Sequence, residues 1–293
     1  MLLVREVWAH NLEREFNRLA MQLTEYPIVS IDVEFPGCLR PTPRFASELD
    51  RYCDMKYNID STKMLQLGLN LSDEMGKIGG TWEFNFSNFD EAKDACDTRS
   101  IEFLKGNGLN FERMRADGID LYEFTAGFIR IFSRQRNLKW VSFHGLYDFG
   151  YLLKLATRRF LPNSLLGFAH MMGKVFGKVF DLKIMTKDCK QLLSGELGLE
   201  KLGELLEVGR TGLAHHAGSD SLLTANCFAR IKNKFHIKDQ LYSGCLYGIN
   251  IRIIRPRPTL HVFVPPCFND YNSTLKFCRL PVYPPPPHPV YHI

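Results

Sequence analysis

Between residues 4 and 24, Trp8, Leu12, Phe16, Leu19, Ala20 and Leu23 recur every three or four positions with charged residues between them. That spacing predicts an amphipathic helix with one apolar face. It leads into "VSIDVEFPG" (29–37), a buried strand stopped by Phe-Pro-Gly, and then into "MLQLGLNLSD" (64–73) and "GTWEFNF" (80–86). The last two flank the glycine-containing "EMGKIGG", which suits a hairpin connection, so three sequential strands are expected to pair antiparallel. After them the pattern changes. A helix begins at Ser100, a longer one covers 120–135, a short strand "KWVSFH" follows, and another helix runs from "YDFGYLLKLA". One more helix precedes the strand "GKVFDLK" (177–183), and helices continue to about residue 236. Strands alternating with helices imply parallel pairing through crossovers, so the expected class is α/β, one mixed sheet flanked by helices.

Past residue 245 the composition shifts, with ten of the fifteen prolines between Pro256 and Pro289. Residues 1–248 are therefore expected to form one domain. Residues 249–293 are expected to form a proline-rich tail with polyproline II preference, carrying the basic "RIIRPRP" (252–258). The formal net charge of +5 is spread along the chain without a basic run, which suits a polyanionic partner without demanding one. Eight cysteines stand without any CxxC pair, against a structural zinc site or a compact disulfide framework, and they read as reduced thiols of an intracellular protein. No eighteen apolar residues run together and the start carries early charges, so neither a secretion signal nor a membrane span is expected.

Three polar clusters break the apolar pattern. Asp32 and Glu34 lie two apart in the first strand, so their carboxylates lean into one space roughly 6.5–7 Å apart, where like charges call for a cation. Asp148 follows the strand at 139–144, where the carboxyl ends of α/β strands face a ligand crevice. In "GLAHHAGSDSLLTANCF" (212–228), Gly218, Ser219 and Asp220 open an apolar helix, and His215 precedes Asp220 by five positions. Alone, each has an ordinary structural account: a strand end in water, an acid on a helix dipole, a cap with surface histidines. "GKIGG" lacks the GxGxxG spacing, which sets aside a dinucleotide site.

Taken in order, the Asp-x-Glu, the later Asp and the His-x4-Asp resemble the DEDD superfamily of 3′-to-5′ exonucleases, in its histidine-containing (DEDDh) branch. "REVWAHNLEREF", "IDVEFPG", "LQLGLNLSDE", "WEFNF", "YDFGYLLKL" and "HHAGSDSLLT" are together similar to blocks of the Caf/Pop-type (CCR-associated factor) deadenylases, over residues 4–248. The resemblance implies an RNase H-like fold, metal-site acids Asp32, Glu34, Asp148 and Asp220, and His215 as general base. It implies two divalent ions, and all-oxygen ligation suits magnesium or manganese better than zinc. It further implies a poly(A) RNA 3′ end as substrate, a NOT-type scaffold and a second deadenylase subunit as partners, and a place in cytoplasm and nucleus. Phe35, next to the acid pair, reads either as a base-stacking ring or as core. Lys154, Arg158 and Arg159 read as a solvated helix face.

The chain departs from the family's pattern at several positions. Val33 stands for Thr, on the face opposite the acids. Gly145 and Leu146 stand for Ser and Gly, and the bulk of Leu146 is expected to alter substrate fit. Leu213, Ala214 and His216 stand for Pro and two Gln around the base. Residues 57–64 are more polar than usual, which weakens the expected docking to a partner nuclease.

Overall fold

The computed structural model describes residues 4–135, 137–189, 191–192 and 196–256. Strands β1 (Val4–Val7), β2 (Ile28–Glu34), β3 (Gln66–Ser72), β4 (Ile78–Asn85), β5 (Lys139–Ser142) and β6 (Lys178–Asp181) form one sheet in the order β1-β4-β3-β2-β5-β6. As expected, β2, β3 and β4 pair antiparallel, and β5 and β6 add in parallel beside β2. The first helix is shorter than its periodicity suggested. Val4–Val7 pairs parallel to β4, and α1 covers Leu12–Gln22. The four-residue stretch VREV is too short to express a helical period, so pairing with an available sheet edge decides its state.

The remaining helices are α2 (Glu48–Ser61), α3 (Thr98–Gly106), α4 (Phe111–Asp117), α5 (Leu121–Phe132), α6 (Leu146–Thr157), α7 (Leu165–Val175), α8 (Leu182–Met185), α9 (Leu199–Leu205), α10 (Ala217–Phe235) and α11 (Asp239–Tyr242). Helix α2 escaped the pattern reading because its residues are largely polar. Ser47 caps it by accepting from Asp50 N at 3.1 Å. Its polar groups are used inside the molecule. The Asn58 side chain bonds both backbone groups of Arg40, Asp60 accepts from Leu161 N at 3.0 Å, and Thr62 bonds the Tyr151 hydroxyl. Lys154 is no solvated side chain either. Its ammonium caps the end of α2 through the carbonyls of Ile59, Asp60 and Thr62 at 2.6, 3.3 and 3.2 Å.

The two sheet faces differ. Val29, Ile31 and Val33 of β2, Leu67, Leu69 and Leu71 of β3 and Trp82 and Phe84 of β4 join the main core with α1, α2, α5, α6 and α7. The alternate positions are polar or small: Ser30, Asp32 and Glu34; Gln66, Gly68, Asn70 and Ser72; Thr81, Glu83 and Asn85. Helix α10 covers that second face, and its outer half joins a second core with Ile28, Val141, Phe180, α8 and α9. The approach is close. A Cβ on Gly68, which pairs with Asp32, would lie 1.8 Å from the Ala217 carbonyl oxygen, and one on Gly218 would lie 2.8 Å from Glu83 Cβ. Only glycine at both points lets the start of α10 reach the sheet.

The compact unit runs on past the expected boundary at 248 to Pro256, because Ile249 and Ile253 are buried in the main core. The proline-rich segment from residue 257 onward lies outside the described residues. No described helix is long and apolar enough to cross a membrane.

Candidate active site

All five polar residues singled out in the sequence meet at one end of the sheet. Asp32 and Glu34 are at the end of β2, Asp148 is in the first turn of α6, and Asp220 is in the first turn of α10. Asp148 is pinned to β2, its Oδ1 accepting from Val33 N at 3.0 Å. Val33 contributes through its backbone while its side chain joins the core. A ring nitrogen of His215 and carboxylate oxygens of Glu34 and Asp220 all lie within 4.8 Å of one another. His215 is exposed, sits in the left-handed region at φ 61°, and its N–H donates to Asp220 Oδ2 at 3.1 Å. The loop backbone is thus tied to one acid while the imidazole stays free to face a substrate.

Four carboxylates face one nearby guanidinium. Arg210 pairs with Asp220 Oδ1, and the same Nη1 donates to Ser219 Oγ at 3.0 Å. The charge deficit is visible in the acids. Burial pushes the Asp32 and Glu34 carboxyls well above the ordinary range, and repulsion from Asp148 and Asp220 pushes them further. Asp148 is likewise raised, first by burial, then by Asp181. Oxygen-only donors that resist ionising together fit hard divalent cations, whose charge would relieve that repulsion.

Three groups escaped the sequence reading. Glu83 and Gln66 cap α10 from the sheet: Glu83 Oε2 accepts from Gly218 N at 3.0 Å and Gln66 Oε1 from Ala217 N at 3.3 Å. Glu83 also pairs with His216, whose Nδ1 lies 3.5 Å from Glu83 Oε1 and whose Nε2 bonds the Asn107 carbonyl at 3.0 Å. His216 therefore braces the loop and points away from the acids. The signal for Glu83 was an acid inside the apolar "WEFNF", the same anomaly as in "VSIDVE". Asp181, fully buried at the end of β6, accepts from the N–H groups of His144, Gly145, Lys183 and Tyr247 at 2.8–3.1 Å. It clamps the turn that presents Asp148.

Two other expectations meet the structure differently. Leu146 points into the main core, so its bulk is accommodated away from the acids. Phe35 lies flat against Tyr147, with ring centroids 5.2 Å apart and planes 4° from parallel, so one of its faces is already covered.

Comparison with known proteins gives the chain its relatives. A family model described as CAF1 family ribonuclease matches residues 7–137. The Arabidopsis thaliana proteins named Probable CCR4-associated factor 1 homolog 1 and homolog 7 are each 40% identical to the chain. The first match spans 84% of this chain and 69% of the relative, the second 85% and 94%. Among solved structures, S. pombe Pop2p in its Mg2+- and Mn2+-bound form superposes with a TM-score of 0.78 at 36% identity, covering 84% of this chain and 99% of that one. The yeast CAF1 chain co-crystallised with the NOT1 MIF4G domain superposes with a TM-score of 0.70 at 28% identity, covering 84% and 96%. With a sheet, an acid set and a histidine loop of this kind, and relatives aligned over most of both chains, the chain belongs to the CAF1 ribonuclease family.

Proposed function

We propose that the chain is a metal-dependent 3′-to-5′ exoribonuclease that shortens messenger-RNA poly(A) tails and releases 5′-AMP. The observation that carries this reading is the convergence of Asp32, Glu34, Asp148 and Asp220 beside an exposed His215. Two divalent cations, magnesium or manganese, held by these four acids would stabilise charge on the attacking and leaving oxygens of the phosphodiester. The metals of the S. pombe relative support that choice.

The chain's own groups do the rest. His215 takes the proton of the attacking water on a ring nitrogen, since its exposed imidazole stands beside Glu34 and Asp220. Arg210 orients Asp220 through its guanidinium, while Glu83 and Gln66 hold the start of α10, fixing Asp220 and the base relative to β2. Phe35 borders the site just past the end of β2, packed against Tyr147, Tyr151 and the main core, and acts as a wall of the site. The NOT1 MIF4G complex of the yeast relative supports work on a NOT-type scaffold. A second deadenylase subunit and a place in cytoplasm and nucleus belong to the proposal through the family resemblance alone.

The test is a denaturing-gel time course on a 5′-labelled RNA ending in an A-tract, with magnesium or manganese, beside Asp32→Ala. The expected outcome is a ladder that shortens one nucleotide at a time, slows at the first non-A residue and is absent in the variant. A folded, metal-supplied chain that trims mixed sequence or DNA as fast as the A-tract would remove the poly(A) assignment. One that trims nothing would leave an adapter.

A further inference from the structure

The side of the cleft facing His215 carries an aromatic ring that no role yet described uses. Phe103 projects from α3 with half its surface open, 52% exposed, while its helix neighbours Ile101 and Leu104 are buried. Its ring meets that of His215 edge-on, with centroids 4.7 Å apart and planes at 70°. Single exposed apolar side chains are ordinary on a protein surface, so what distinguishes this ring is its place, one ring away from the acids.

Its position is held firmly. Asp97 caps α3, its Oδ2 accepting from Ser100 N at 3.2 Å, and Asp97 N donates to the carbonyl of Pro36 at 2.8 Å, just beyond Glu34. Ser100 packs so tightly over Gly37 that a Cβ there would come within 2.6 Å of its Cβ. Helix α3 is therefore anchored on the segment that leaves β2, and Phe103 is placed relative to Glu34 by rigid elements on both sides. Phe35, by contrast, has a face covered by Tyr147.

We infer that Phe103 is a nucleobase platform: its open ring stacks on a base at the 3′ end of the RNA while the scissile phosphate lies over the carboxylates. Stacking on an aromatic face is tolerant of base identity, so Phe103 contributes grip on a single strand, and preference for adenine arises elsewhere or from adenine's stronger stacking. The inference rests on the 3′-exoribonuclease reading above.

The test compares the full chain with Phe103→Ala, Phe103→Leu and Phe103→Tyr. One readout is steady-state trimming of A-tract RNA. The other is fluorescence of a 3′-terminal 2-aminopurine joined by a slowly cleaved phosphorothioate linkage. The wild type should quench the probe on binding. The Ala and Leu variants should lose the quench and raise KM about tenfold, and Tyr should restore both. A Leu variant matching the wild type in both readouts would overturn the platform. So would a fall in kcat with KM and quench unchanged, which would make the ring a support for His215. A wild type that trims A-tracts beside an unaffected Ala variant defeats this inference alone. A wild type that neither quenches nor trims defeats the exoribonuclease reading with it.

Discussion

Helix α10 carries a charge cluster at each end, and the two are built oppositely. Toward its C-terminal end, Lys232 and the β5 residue Lys139 face Glu74 and Asp239: two acids, two bases. Burial pushes the Glu74 and Asp239 carboxyls up, but hydrogen bonds from Lys139 and Lys232 outweigh it and hold both below the ordinary range. At the N-terminal end, Asp32, Glu34, Asp148 and Asp220 face Arg210, and three of the four are raised. The first cluster is complete within the chain. The second lacks positive charge, and in a buried setting such a deficit marks a place meant to receive it.

Removing a member of the deficient cluster should cost activity most. Asp148→Asn is expected to reduce trimming by roughly a thousandfold or more, because a charge-stabilising ligand is lost where charge develops. His215→Ala should cost about a hundred- to a thousandfold, and the pH-rate profile should change shape if the imidazole is the base. A profile unchanged in shape would assign the proton to another group.

The same substitution that stops catalysis should stabilise the cation-free fold. The Asp32, Glu34 and Asp148 carboxyls have folded pKa values above their unfolded ones, so the folded state holds their protons more tightly. Stability from this cluster is greatest below the unfolded carboxyl range near pH 4 and declines as pH rises through the raised values. In EDTA, Asp32→Asn should therefore melt higher than the wild type, and by more at pH 8 than at pH 5. Magnesium or manganese should raise the wild-type Tm and leave the variant nearly unchanged. Equal gains at both pH values would mean that the site is not under charge stress.

The balanced cluster has the opposite sign. Its depressed acids contribute above the unfolded range and lose that contribution as pH falls through their folded values. Lys139→Met should cost about 1–2 kcal/mol in urea unfolding at neutral pH, less than a fully buried pair, and should leave the metal response intact. The smallest effect is expected from Glu83→Gln, which keeps an acceptor for Gly218 N–H. Glu83→Leu removes the cap and should cost about 1–2 kcal/mol, with about tenfold lower activity. If the Gln and Leu variants behave alike, Glu83 is not holding α10.

Much of this was legible in local pattern. Apolar alternation marked β2, β3 and β4, turn residues marked the hairpin, and the acids Asp32 and Glu34 stood out in an apolar strand, though they read as a site only together with Asp148, His215 and Asp220 in order. What escaped were features without local signature. Helix α2 is polar because its side chains bond Arg40, Leu161 and Tyr147, none of which its own sequence can reveal. Val4–Val7 became a strand because β4 offered an edge.

By itself the chain of residues determined which groups are available: four carboxylates, an imidazole in a loop, glycines where backbone must approach, and strands of period two. Periodicity and turn chemistry act over a few residues, so they can be read without a fold. Only the tertiary structure decided that the polar side of β2, β3 and β4 is covered by α10 rather than by water. It alone decided that Glu83 and Gln66 cap that helix and that Asp148 hangs on Val33 N. These contacts join residues distant along the chain, and they form because burying the apolar faces of α10 and α6 on the same sheet brings their N-termini to one end of β2.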